Sequence, residues 1–327
     1  KISGIVKTLN KNDILGLLYI QARECKDIEL AKERFKASIQ YDTNGNILTS
    51  YGFGAKMLCP KNSNWHNHLV LQAEKMLKHI PNADGFFFDN SWDKEYSDII
   101  NAIGELAHSK GLYFATNGAS ANCSAATDSI MAEGDTHTLK GLSYLALSQP
   151  IIFLPINHYN AYGYKGVVNE FGHKGRAMGL IDNFQNDLKE CLINGAYYSY
   201  DWPGTDGYDK ESKRIYKDYL PLENNLKGKK WYLIPHALKV PVNVKANIFE
   251  NGKGELITYI TSEGFPFCGK ALAPFKVSIR VPGRLIKSAL IRRIEDKKEI
   301  AIPFKQVTDT IEIEVSNHCS ITMLKLK

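Results

Sequence analysis

Asp84-Gly85-Phe86-Phe87-Phe88-Asp89 is the stretch on which the fold turns. A strand with one wet face alternates apolar and polar residues, whereas three phenylalanines in a row leave no polar face at all. Such a strand is buried on both sides, as in a parallel sheet covered by helices. Ile151-Ile152-Phe153-Leu154 has the same character. Working outward, strand candidates fall at residues 15–20, 37–40, 85–88, 112–116, 129–132, 151–156 and 196–200. Helical periodicity occupies 69–79, 96–108, 139–147 and 184–193 between them. Strands alternating with helices predict an α/β fold, a TIM-type (β/α)8 barrel over residues 1–233 whose eighth strand would lie upstream of Lys1. An open doubly wound sheet is the rival, and no Gly-rich phosphate loop recommends it.

After about Trp231 the helical periodicity stops. Short alternating segments follow at 240–249, 254–261, 275–281, 286–293, 299–303, 310–315 and 320–326, parted by Asn251-Gly252, Glu263-Gly264 and Pro282-Gly283. They predict an antiparallel β-sandwich over residues 234–327.

Composition narrows the function. Hydrophobic residues make up 44% and charged residues 23% of the 327, which excludes a disordered chain. The net charge of +6 is dispersed, with no basic stripe interleaved with aromatics, so nucleic acid is not the expected partner. No apolar run reaches the roughly 18 residues a membrane-spanning helix needs, so no membrane partner is expected. Cys25, Cys59, Cys123, Cys191, Cys268 and Cys319 are dispersed and form no CxxC pair. They read as buried thiols, which argues against structural zinc and favours the reducing cytoplasm; removal of an upstream signal would instead place the chain outside the cell.

In a parallel barrel the chemistry sits where the strands end. Tyr19, Gln21 and Arg23 alternate at the end of the first strand, and Asp42 follows the second. Asp89, Asn90 and Trp92 follow the phenylalanine run; Asn117 and Glu133 close the next two strands. Asn157 and His158 follow 151–156, and Asp201 and Trp202 follow 196–200. Glycosidic cleavage needs two carboxyl groups, one to attack the sugar or activate water and one to protonate the leaving oxygen. Asp89, short and on rigid backbone, is the candidate nucleophile. Glu133, longer and flanked by Met131 and Ala132, is the candidate general acid/base. The other eleven residues are candidate substrate contacts, with an oligosaccharide or polysaccharide as partner, no metal and no cofactor.

Structural roles compete for the same residues. Asp89 could cap a helix, with Ser91 and Asp93 as rival caps. Glu133 could be a solvated loop residue, and Asp201 could serve the turn at Trp202-Pro203-Gly204. In Trp65-His66-Asn67-His68 the two histidines stand at i and i+2, facing different ways on a helix, which speaks against a metal site. Trp65 reads as a sugar platform or as a helix-start anchor.

The strings Asp84-Gly85-Phe86-Phe87-Phe88-Asp89, Thr116-Asn117-Gly118 and Ile130-Met131-Ala132-Glu133-Gly134 resemble barrel glycosidases akin to endo-α-1,4-polygalactosaminidase, and more loosely the α-amylase-type retaining enzymes. The resemblance spans residues 84–134 and lacks the Gly-x-Arg-x-Asp string typical of amylases. It implies that Asp89 is the nucleophile, Glu133 the acid/base and Asn117 a lining residue. It also implies cleavage of an α-linkage with retention. A carbohydrate-binding protein on a degenerate barrel is the alternative of another class. A barrel aldolase or metal-dependent hydrolase would need a strand-end Lys or a His/Asp ligand cluster, and neither is apparent.

Overall fold

The computed structural model describes residues 2–50, 54–89, 91, 94–119, 124–133, 136–146, 148–154, 180–199, 210–262 and 272–327. The chain divides into two compact units, Lys1–Met131 and Ala132–Lys327.

The first unit opens with helix α1 (Ile2–Asn10) and strand β1 (Leu17–Gln21). A small antiparallel sheet follows, built from β2 (Glu24–Cys25), β3 (Thr49–Ser50) and β4 (Gly54–Lys56), with α2 (Ile28–Arg34) inside the excursion. Then come α3 (Asn64–His79), β5 (Gly85–Asp89), α4 (Ser97–Ser109), β6 (Tyr113–Asn117) and β7 (Ser129–Glu133), whose last two residues belong to the second unit. Strands β1, β5, β6 and β7 run parallel in that order. Helix α3 starts at Ser63, whose hydroxyl accepts the His66 N–H at 3.1 Å. Its Trp65, Leu69 and Ala73 recur every fourth residue and are buried. In α4, Ile99, Ile100, Ile103 and Ala107 form the corresponding stripe. These side chains enclose Phe86, Phe88 and Phe114 in one core. Phe86 and Phe88 are therefore buried, whereas Phe87, on the opposite face, is half-buried.

Residues 37–40 are not a parallel strand. A 3-10 turn occupies Lys36–Ser38, and isolated antiparallel bridges join Ile39 to Met57 and Tyr41 to Ile47. The turn at Asp42–Asn46 reverses the chain and makes the segment one arm of a hairpin: the Asp42 carboxylate accepts N–H bonds from Asn44 and Asn46, both at 2.8 Å.

The second unit carries α5 (Thr136–Ala146), β8 (Ile151–Leu154), α6 (Leu180–Asn194), β9 (Tyr197–Tyr198) and α7 (Lys210–Glu223). Strands β8 and β9 pair in parallel. Among the described residues no pairing closes the parallel strands of either unit into a cylinder. Helices then give way to β10 (Lys230–Trp231), β11 (Leu238–Lys239), β12 (Val244–Glu250), β13 (Leu256–Ser262), β14 (Phe275–Arg280), β15 (Ala289–Arg293), β16 (Ile300–Ala301), β17 (Lys305–Val307), β18 (Thr310–Val315) and β19 (Ile321–Leu326). They form two antiparallel sheets, ordered β10-β12-β13-β19-β15-β16 and β11-β14-β18-β17.

Both sheets feed one cluster of buried side chains, including Ile248, Leu256, Ile260 and Leu324 from the first and Val277, Ile279, Ile311 and Ile313 from the second. The other face of the larger sheet is covered as well. Tyr259 donates its hydroxyl to the Leu222 carbonyl at 2.6 Å, and Asn247 donates its amide to the Ile193 carbonyl at 2.9 Å. This double cover explains why β13 is buried along nearly its whole length instead of alternating.

At the end of α7, the buried Glu223 carboxylate accepts the Tyr198 N–H at 2.6 Å. Burial raises its pKa from 4.5 to about 7, and the Tyr198 N–H only partly offsets that rise. The fold thus prefers the protonated acid. Stability is full below about pH 4.5 and falls as the pH rises to about 7, by about 3 kcal/mol. Glu223→Gln keeps an acceptor for Tyr198 and cannot ionise. It is expected to raise the urea midpoint at pH 8 and to leave it nearly unchanged at pH 4. Parallel pH profiles for the two proteins would contradict the assignment.

Candidate active site

Strand register places the site. Tyr19 lies opposite Phe87, and Gln21 lies opposite Asp89. Phe87 lies opposite Ala115, and Asn117 opposite Met131. Leu18, Ile20, Phe86, Phe88 and Phe114 point into the helix-covered core, so strand alternation sends Tyr19, Gln21, Phe87, Asp89 and Asn117 to the other face. The Tyr19 ring rests near the Phe87 ring, 6.2 Å between centroids.

The Asp89 carboxylate is held from two sides. Tyr19 donates its hydroxyl to Oδ2 at 2.5 Å, and Asn117 donates its side-chain amide to Oδ1 at 2.7 Å. The two donors come from the strands flanking β5, so the carboxylate is braced by its neighbours on either side. Tyr19 is 54% exposed, whereas Asn117 is only 2% exposed. Asn117 is itself fixed: its carbonyl accepts the Ser91 N–H at 3.0 Å and the Ser91 hydroxyl at 2.7 Å. Ser91 is fully buried and so staples the turn after β5 to the end of β6. Beyond Asn117, Gly118 adopts φ +79°, and its N–H reaches the Met131 carbonyl at 2.8 Å.

Asp89 is therefore not a helix cap, because α4 begins only at Ser97 and has no side-chain cap. A charged acceptor held by an O–H on one oxygen and an N–H on the other has little rotational freedom. Among the described residues no His, Cys, Asp and Glu group has the arrangement of a metal site.

The remaining candidates are placed as follows. Gln21 closes β1 beside Asp89 and is half-buried. Arg23, also half-buried, lies two residues further on, and its carbonyl accepts the Met57 N–H at 2.8 Å. The Asp42 carboxylate closes its own turn, and Asn46 and Asn44 hold it below the usual carboxylate range. Glu133 ends β7, half-buried, in the second unit. Asn90, Trp92, Asn157, His158, Asp201 and Trp202 lie outside the described residues. Trp65 is a buried anchor and not a platform: its indole N–H bonds the Ala22 carbonyl at 2.8 Å. Cys25, Cys59 and Cys191 are buried free thiols, and burial pushes the Cys59 thiol up to about 12. Sequence reasoning placed Tyr19 at a substrate-facing position but missed its bond to Asp89. The signal was present in its alternation with Gln21, the residue that closes the same strand.

No family model matches the chain, and no curated protein matches it. Solved structures do. A noncanonic maltogenic α-amylase from Thermotoga neapolitana matches with a TM-score of 0.59 at 11% identity, over 98% of this chain and 80% of that one. A GH27 β-L-arabinopyranosidase from Geobacillus stearothermophilus gives 0.53 at 11%, over 100% and 77%. A type I pullulanase from Bacillus subtilis gives 0.55 at 12%, over 99% and 55%. The likeness is one of fold: the chain shares the architecture of these barrel glycosidases.

Proposed function

We propose that this chain is a glycoside hydrolase cleaving an O-glycosidic bond of an oligosaccharide or polysaccharide. Asp89 is the nucleophile and Glu133 the general acid/base, the linkage is α, and the reaction retains configuration. The observation that carries the reading is the Asp89 carboxylate, set at a strand end and held by Tyr19 and Asn117. The fold shared with glycosidases supports it.

Asp89 attacks the anomeric carbon while Glu133 gives its proton to the departing oxygen, leaving a glycosyl ester on Asp89. Water then attacks the same carbon, Glu133 takes the water proton, and Asp89 leaves as carboxylate. In this reading residues 1–233 are the catalytic barrel and 234–327 an appended β-sandwich.

The test is a panel of α-linked oligosaccharides and aryl glycosides, read by release of reducing ends and by proton NMR of the first-formed anomer. Release with retained configuration is expected. Binding without release would favour a carbohydrate-binding protein on the same fold. An inverted product would remove the nucleophilic role of Asp89.

A further inference from the structure

We infer that Tyr19 and Asn117 divide the labour on the Asp89 carboxylate, with Tyr19 a positioning residue for the second half of the reaction; this rests on Asp89 being the nucleophile. Each donor serves a different oxygen, Tyr19 on Oδ2 and Asn117 on Oδ1. Their surroundings differ as well. Asn117 is buried and locked from behind by Ser91, whereas Tyr19 stands open. Oδ2, whose donor is the exposed one, is in this inference the oxygen that attacks the sugar.

When Oδ2 bonds to the anomeric carbon, Oδ1 becomes the carbonyl oxygen of the ester. A carbonyl oxygen remains a good acceptor, so the Asn117 bond survives both steps. The ester oxygen is a weak acceptor, and the Tyr19 O–H must turn away from it. Tyr19 therefore stabilises the free carboxylate but not the ester. It restrains attack slightly in the first step and favours departure of Asp89 in the second, where its bond to Oδ2 re-forms as the C–O bond to the sugar breaks.

Tyr19→Phe separates this role from a structural one. The probe is the 2,4-dinitrophenyl glycoside of whichever sugar the panel selects, since that leaving group departs readily and makes hydrolysis of the ester limiting. A hydrogen bond to a charged group is worth a factor of about 10 to 100 here. We expect kcat to fall by that factor, KM to fall with it, and kcat/KM to stay within a few-fold of wild type. Quenched enzyme should show one added glycosyl mass on the peptide carrying Asp89. The ring is half-exposed and keeps its packing, so the melting temperature should fall by no more than a few degrees.

Equal losses in kcat and kcat/KM without adduct accumulation would overturn the role of Tyr19, even with wild-type adduct trapped on Asp89. An adduct on another residue would instead overturn the nucleophile assignment, and the inference with it.

Discussion

Asp89→Asn should lower kcat/KM at least ~10⁴-fold while moving the melting temperature by no more than about two degrees. The first half follows from chemistry: an amide is a poor nucleophile at carbon, and no other described carboxylate receives this pair of donors. The second follows from the geometry. The amide oxygen of the introduced side chain can still accept from Asn117, and its new NH2 group meets the Tyr19 hydroxyl, which can rotate to accept. Two charge-assisted bonds become two neutral ones, a cost of about 1 kcal/mol at a half-buried position. Circular dichroism melts beside steady-state kinetics check both halves. Turnover above a hundredth of wild type would assign the chemistry elsewhere.

Much of this was legible in the chain, for reasons that differ from place to place. The run Phe86-Phe87-Phe88 marked a strand, and the position of Asp89 at its end followed directly, although only Phe86 and Phe88 are fully buried and Phe87 is half-buried. Residues 37–40 misled because four apolar-rich residues satisfy a strand pattern whichever sheet they join. Only the Asp42 turn, a side-chain effect five residues long, decides that the segment folds into an antiparallel excursion. In the second unit most strands coincide with segments read from the sequence, although Lys230–Trp231, Leu238–Lys239 and Lys305–Val307 are not among them. β13 does not alternate but is buried almost throughout, because Tyr259 and the neighbouring Asn247 of β12 tie the sheet to α7 and α6.

The site was legible as a set of positions and not as a network. That Tyr19, Gln21, Asp89 and Asn117 share one face follows from period-two alternation in adjacent strands. That Tyr19 bonds Asp89, and that Ser91 locks Asn117, depends on a strand register that no local pattern encodes.

Gly85→Ala should be the most destabilising single change in the first unit, costing about 4 kcal/mol or more. Gly85 begins β5 and lies opposite Tyr113 in register. A Cβ there would stand 1.7 Å from the Tyr113 carbonyl oxygen, 2.6 Å from its carbon and 2.9 Å from its nitrogen. All three are backbone atoms, so no rotamer relieves the overlap and β5 must part from β6. Parting them loosens Phe86, Phe88 and Phe114 together, since one core holds all three.

Gly111→Ala is the control. That glycine has φ +67° but open space around it, so alanine there meets only backbone strain of about 1 kcal/mol. Urea unfolding of the two variants should therefore differ by about 3 kcal/mol. Asp89 lies four residues beyond Gly85 on the same strand, so any Gly85→Ala protein that folds should also lose activity as its carboxylate drifts from Tyr19 and Asn117. Asp89→Asn loses activity alone; Gly85→Ala loses stability and activity together. If Gly85→Ala is as stable and active as wild type, β5 does not approach β6 this closely, and the register that brings Asp89 between its two donors fails with it.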